Sequence, residues 1–90
     1  MRFTWDVAKN ERNIRERGLD FGYAARVFER RVLEWADARR ECGESRMIAI
    51  GVIEDRTYVV VYTDRSTGRH IIPARRANER ERRAYRALHG

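Results

Sequence analysis

Two apolar runs separated by three charged residues constrain this chain more than any other feature. Met47 to Ile53 is almost unbroken in its hydrophobicity, and Thr57 to Thr63 (Thr-Tyr-Val-Val-Val-Tyr-Thr) is β-branched and aromatic, with Glu54-Asp55-Arg56 between them. The pattern predicts a hairpin whose strands are covered on at least part of both faces, because a strand facing water on one side would alternate. Whatever covers them must come from the rest of a chain of 90 residues. A chain of that length buries only about 60–65% of its unfolded surface, so one sheet with a few helices is expected, as one domain over residues 1–90.

The flanks supply those helices and the remaining strands. Arg2 to Trp5 reads as a short first strand; Asp6 then caps a polar helix to about Arg17, which Gly18 ends. Asp20 is a second N-cap, followed by Phe21, Ala24, Ala25 and Phe28 at helical spacing, a stripe that faces a core. From Val32 to Trp35 the period returns to two. Asp64 to Gly68 supplies a turn, and Arg69 to Ala74 a returning strand that Pro73 ends or holds at an edge. Asn78 with Glu81 three residues on is a capping box, opening a last helix that packs Ala77, Ala84 and Leu88, with Tyr85 beside them. The expected order is β-α-α-β-β-β-β-α, an α+β domain with an antiparallel sheet and helices mainly on one side.

Several classes are excluded. No apolar run approaches the roughly 20 residues that span a bilayer, and the N-terminus lacks a signal-like stretch, so a cytoplasmic protein with no membrane association is expected. Cys42 is the only cysteine and reads as a small residue in a polar loop; with two distant histidines it gives no zinc spacing, and no cofactor or metal is expected. Hydrophobic residues at 42% make disorder unlikely despite 38% charged residues.

The charge is unevenly placed. Lysine and arginine total 20 against 14 acids, giving +6, and Lys9 is the only lysine. From Arg65 to Gly90 there are eight arginines and two acids, so the whole excess lies in that segment. Guanidinium groups bind phosphate bidentately and stack on bases, which an ammonium cannot do. A surface that meets RNA is expected, against the plainer reading of a solvated arginine-rich helix.

In order and spacing the residues resemble the BrnT family, ribonuclease toxins of type II toxin–antitoxin systems with a RelE-like fold. The likeness runs through Trp5-Asp6, Lys9 and Asn13; Phe21, Ala24 and Val27-Phe28; Asp37-x-Arg39, Gly43-Glu44-x-Arg46 and Ile50-Gly51. It continues in Val61-Tyr62-Thr63-x-Arg65 and ends in Ile71-Ile72-x-Ala74-Arg75-x-Ala77, Glu81 and Tyr85. The resemblance implies an RNA-cleaving toxin that inhibits translation, neutralised in a hetero-oligomer by a BrnA-like antitoxin. Two departures stand out. Glu16-Arg17-Gly18 replaces the family's usual Lys-His-Gly, and His70-Ile71-Ile72-Pro73-Ala74-Arg75 replaces Arg-Ile-Ile-Ser-Ala-Arg.

Metal-independent cleavage by the ribose 2′-OH needs proton transfer and cations around a phosphorane more negative than the substrate. Arg65 and Arg75 bracket the last hairpin, and the pairing brings them either to opposite ends or, through a bend, to one groove. Arg46, opening the central strand, either serves phosphate or pairs with Glu44 or Asp37. His70 has a suitable intrinsic pKa, although a lone strand histidine commonly faces solvent or packs. Tyr62 and Glu44 are the other proton-transfer candidates, Tyr62 being equally at home in a core. Lys9, Arg69, Arg76, Arg80 and Arg83 are the expected RNA-binding residues, with Lys9 as readily a solvated helix residue. The competing function is a non-catalytic basic module that binds nucleic acid or an acidic partner protein.

Overall fold

Local capping chemistry sets the element boundaries in the computed structural model, which describes residues 1–37 and 45–89. After β1 (Phe3–Trp5), the Asp6 side chain accepts the amide of Lys9 at 3.0 Å and starts α1 (Val7–Arg17). Gly18, at φ 65°, ends it in the left-handed conformation that glycine adopts without strain. Asp20 caps α2 (Phe21–Ala24), which tightens into a 3-10 turn over Ala25–Glu29. Asn10 clasps the two helices together, accepting the Phe21 amide at 2.8 Å and donating to Asp20 at 3.1 Å. Asn13 is buried beneath them and donates to the Leu19 carbonyl at 2.8 Å. Four strands follow: β2 (Leu33–Ala36), β3 (Met47–Ile53), β4 (Arg56–Arg65) and β5 (Gly68–Arg76). The last helix, α3 (Glu79–His89), opens with the reciprocal capping box: the Glu81 amide donates to Asn78 and the Asn78 amide to Glu81, both at 2.9 Å.

The five strands form one sheet in the order β1-β5-β4-β3-β2. The sheet is mixed, not antiparallel as expected, because β1 runs parallel to β5 with Phe3, Thr4 and Trp5 beside Arg69, His70 and Ile71. Glu54 and Asp55, at φ 50° and 66°, make the β3–β4 turn, whose backbone twist matches that of the strands. Pro73 does not end β5. Val60 pairs with Ala74 and Tyr62 with Ile71, so Ile72 and Pro73 together oppose Val61 in a bulge. A bulge leaves a residue outside the ladder, where proline's missing N–H costs nothing.

Alternation along β4 separates the faces. Tyr58, Val60 and Tyr62 join Leu19, Phe21, Ala24, Val27, Ile53, Ile71 and Ala74 in the main core, beneath α2 and the 3-10 turn. Val59 and Ile50 face the opposite way, against Ala77, Leu33, Ile48 and Tyr85. Helices therefore lie on both faces, where most were expected on one: α3 covers the second. It is anchored there by the Tyr85 hydroxyl on the Arg31 carbonyl at 2.8 Å and by His89 Nε2 near the Val32 carbonyl at 3.2 Å.

Gly51 is where the 3-10 turn comes closest to the sheet. A Cβ at this position would lie 2.7 Å from Val27 Cβ and 3.2 Å from Val32 Cγ1. Gly51→Ala is therefore expected to destabilise the fold by about 1–3 kcal/mol through overpacking. Urea unfolding would show a lower midpoint at an unchanged slope.

Candidate nucleic-acid interface

Among the described residues, the helix on the second face is the eleven-residue α3, and the part of that face beyond it is the candidate site. Val59, Val61, Thr63 and Arg65 alternate onto this face along β4, with Ile50 and Ile48 beside them on β3 and Arg46 immediately before that strand. Trp35 stands opposite Ile48 on β2, and on β5 His70 stands opposite Thr63 and Arg75 opposite Val59. Arg65, Arg75 and His70, all expected at the site from sequence, therefore share one face, and Arg46, also expected there, lies just before β3. At the Arg75 end is a cavity of about 220 Å³, bounded by Arg17, Trp35, Ile48, Val59, Val61, Pro73, Arg75 and Glu81. Trp35, 41% exposed, is a large aromatic surface open to solvent.

The register settles how the two bracketing arginines are placed. Arg65 lies six residues along β4 from Val59, the partner of Arg75. At about 3.3 Å per residue, the two lie some 20 Å apart at opposite ends of the face. His70 is close to the Arg65 end, its Nδ1 2.8 Å from the Thr4 hydroxyl of β1, a contact that fixes the ring's orientation. Thr63 is buried, and its hydroxyl donates to the Ser45 carbonyl at 2.7 Å, holding the entry to β3 beside Arg46.

Arg75 is already engaged. Its two terminal nitrogens donate to Glu81 Oε1 and Oε2 at 2.8 and 2.7 Å, a fork that ties β5 to the first turn of α3. The hydrogen bonds from Arg75, aided by the Asn78 amide, hold the Glu81 carboxyl below the usual glutamate range, against the opposing effect of burial.

Tyr62 and Arg69 lie on the opposite face, away from the other candidates. Tyr62 is 2% exposed, and its hydroxyl donates to Glu34 in a short hydrogen bond. Burial first, then that bond to a carboxylate, push the phenol well above its ordinary pKa, so it remains protonated and is unsuited to act as a base. Arg69 lies over the Tyr62 ring at 4.1 Å and the Phe28 ring at 4.9 Å, with Nε 2.8 Å and Nη2 3.2 Å from the Asp64 carboxylate. Its guanidinium joins β4, β5 and the 3-10 turn, and it is packed where an RNA contact was expected. Arg69 thus corrects the sequence expectation as Tyr62 does, for the same reason: an aromatic and charged cluster closes that end of the main core.

Lys9, Arg76, Arg80 and Arg83 are all exposed but are dispersed. Lys9 is on the first turn of α1, Arg76 ends β5 on the α2 face, and Arg80 and Arg83 are on α3, where Glu79 lies 3.7 Å from Arg83 and 3.0 Å from Arg82. Glu44 and Cys42 lie outside the described residues. Among the described residues, no group of three or more His, Cys, Asp or Glu side chains is placed to hold a metal ion. Trp35 and Arg17 were missed as site residues in the sequence. Trp35 was legible only as a strand residue, and a tryptophan on a short strand beside a charged segment was the available signal.

The Arg75 fork gives a pH-dependent prediction. A lowered glutamate pKa stabilises the fold fully above the unfolded value, and that contribution is lost as pH falls through the folded value. Glu81→Gln should thus be less stable than the parent by about 1–2 kcal/mol at pH 7, with the gap closing in acid. Thermal melts across pH 7 to 3 measure it.

From residue 5 to residue 81 the chain matches the family model described as the ribonuclease toxin BrnT of type II toxin–antitoxin systems. No curated protein matches it. No helix among the described residues is long and apolar enough to cross a membrane. A match over that span, including β2 to β5 and the capping box of α3, makes this chain a member of the BrnT family of type II ribonuclease toxins.

Proposed function

We propose that the chain is a metal-independent endoribonuclease of RelE-like architecture that cuts RNA on the open sheet face and thereby inhibits translation in the cytoplasm. The observation that carries this reading is the alternation of Arg65, Arg75 and His70 onto one face, with Arg46 just before β3 and Trp35 exposed opposite Ile48. An RNA strand laid along that face meets guanidinium groups at both ends and an indole on which a base can stack.

The chemistry follows from this placement. The ribose 2′-oxygen attacks the adjacent phosphorus as its proton passes to the His70 imidazole, the P–O5′ bond breaks, and solvent protonates the leaving 5′-oxygen. The products are a 2′,3′-cyclic phosphate and a 5′-hydroxyl. Arg65 and Arg46 offset the extra negative charge on the phosphorane, which is greater than that of the bound substrate. Thr4 orients the imidazole. At Arg75 a phosphate would have to compete with Glu81 for the fork. A BrnA-like antitoxin is the proposed partner, held in a hetero-oligomer with this face as the region it must deny to RNA.

Purified protein with a short RNA substrate tests this directly. His70→Ala should lower the cleavage rate about 10²- to 10⁴-fold and Arg65→Ala about 10²-fold or more. Tyr62→Phe should remain within a few-fold of the parent. A folded protein that binds RNA without forming a cyclic phosphate would instead be a basic binding module.

A further inference from the structure

Arg17 bounds three depressions. It closes the Trp35 cavity on the open face, borders the cleft of about 250 Å³ between α1 and the Pro73 bulge, and forms one wall of a groove of about 450 Å³ at the end of the sheet. That last groove is bounded also by Arg56 and Arg76. Arg56 starts β4 and Arg76 ends β5, and Arg76 is paired with Tyr58, two residues along from Arg56. Alternation places both arginines on the α2 side of the sheet, whereas Arg75, the preceding residue, faces the open side.

The charge of this groove is not neutralised locally. Asp20 is its one carboxylate, and that oxygen is already shared between the Gly22 amide and the Asn10 side chain at 3.1 Å each. Among the described residues, no carboxylate lies within ion-pair distance of Arg17, Arg56 or Arg76, whereas Arg69, Arg75 and Arg82 are each held by one. All three are exposed. At about 450 Å³ it is also large enough to enclose a small ligand, which the α1 cleft is not.

We infer that this groove is a second phosphate subsite, taking a nucleotide of the same single RNA strand that lies on the open face, with Arg17 bridging the two where the strand turns over the end of the sheet. The inference rests on the reading of the open face as the RNA site. It extends the footprint from one phosphodiester to several nucleotides on both sides of β5, and it gives Arg17, which stands where the family usually has histidine, a positioning role in place of proton transfer. Arg56 and Arg76 contact only phosphate, so they add affinity without base preference.

The test uses fluorescein-labelled 2′-O-methyl RNA of three and nine nucleotides, which cannot be cut, with anisotropy as the readout. The nonamer should bind the parent at least ten-fold more tightly than the trimer. In the double variant Arg56→Ala/Arg76→Ala that advantage should disappear, trimer binding should be unchanged, and the salt slope for the nonamer should fall by about 1.4 for two lost phosphate contacts. Arg17→Ala should weaken both. Retention of the full length advantage and salt slope by the double variant, with an unaltered circular dichroism spectrum, overturns the subsite. Cleavage of a trinucleotide with a natural ribose is measured in parallel. If the parent does not cut it while the length advantage depends on Arg56 and Arg76, the groove stands and the nuclease reading falls; if cutting persists without that dependence, the reverse holds.

Discussion

The central strands need cover on two faces, and the chain has helix enough for little more than one. Val59 of β4 is buried on one side and Val60 and Tyr62 on the other, so β4 cannot turn either side wholly to water. The segment from Asp20 to Glu29 closes one face with Phe21, Ala24, Ala25 and Val27. On the other, eleven residues of α3 span about 16 Å, and β4 alone is about 33 Å long. Among the described residues, the remainder of that face lies beyond α3, with apolar floor residues between charged ones.

Arginine serves two purposes here, and the difference lies in what each guanidinium touches. Arg69 and Arg75 close the fold: one stacks on two aromatic rings and forks onto Asp64, and the other clamps the first turn of α3 through Glu81. A lysine could replace neither, since both positions use the planar fork. Arg17, Arg56 and Arg76 are exposed and held by no described carboxylate, and they border grooves. An excess of charge in the sequence therefore overstates the binding surface. The positive segment from Arg65 onward is partly spent on internal pairing, while Arg17 and Arg56, from the part of the chain with no net charge, contribute to the grooves.

Features carried by neighbouring residues were legible in the sequence. The Asp6 cap, the Gly18 stop, the Asn78 and Glu81 box and the Met47–Ile53 strand all depend on side chains within a few positions of one another. The parallel pairing of β1 with β5 has no such signal: Thr4 meets His70 across 66 residues, and three alternating residues fit a parallel edge as well as an antiparallel one. Tyr62 was ambiguous for the same reason. Its strand allowed either face, and only Glu34 and Arg69, from two other strands, decide that it is an interior phenol and not a proton donor or acceptor. Of the candidate site, Arg46, Arg65, Arg75 and His70 were identified by type and position, but the common face of the last three required the register of β4 and β5.

Pro73 illustrates how a departure in sequence can preserve a site while changing its chemistry. A serine at this position has a hydroxyl to offer the open face; proline has none. Proline also suits the bulge opposite Val61, since it has no backbone donor to leave unpaired, and its ring forms part of both the Trp35 cavity and the α1 cleft. By bending β5 there, the bulge restores the alternation that places Arg75 on the open face and Arg76 beyond it. Without the extra residue, Arg75 would face α2 if Ile71 kept its place in the core, and the fork to Glu81 could not form. The hydroxyl absent at residue 73 is thus accompanied by a rigid bend that fixes where both terminal arginines point.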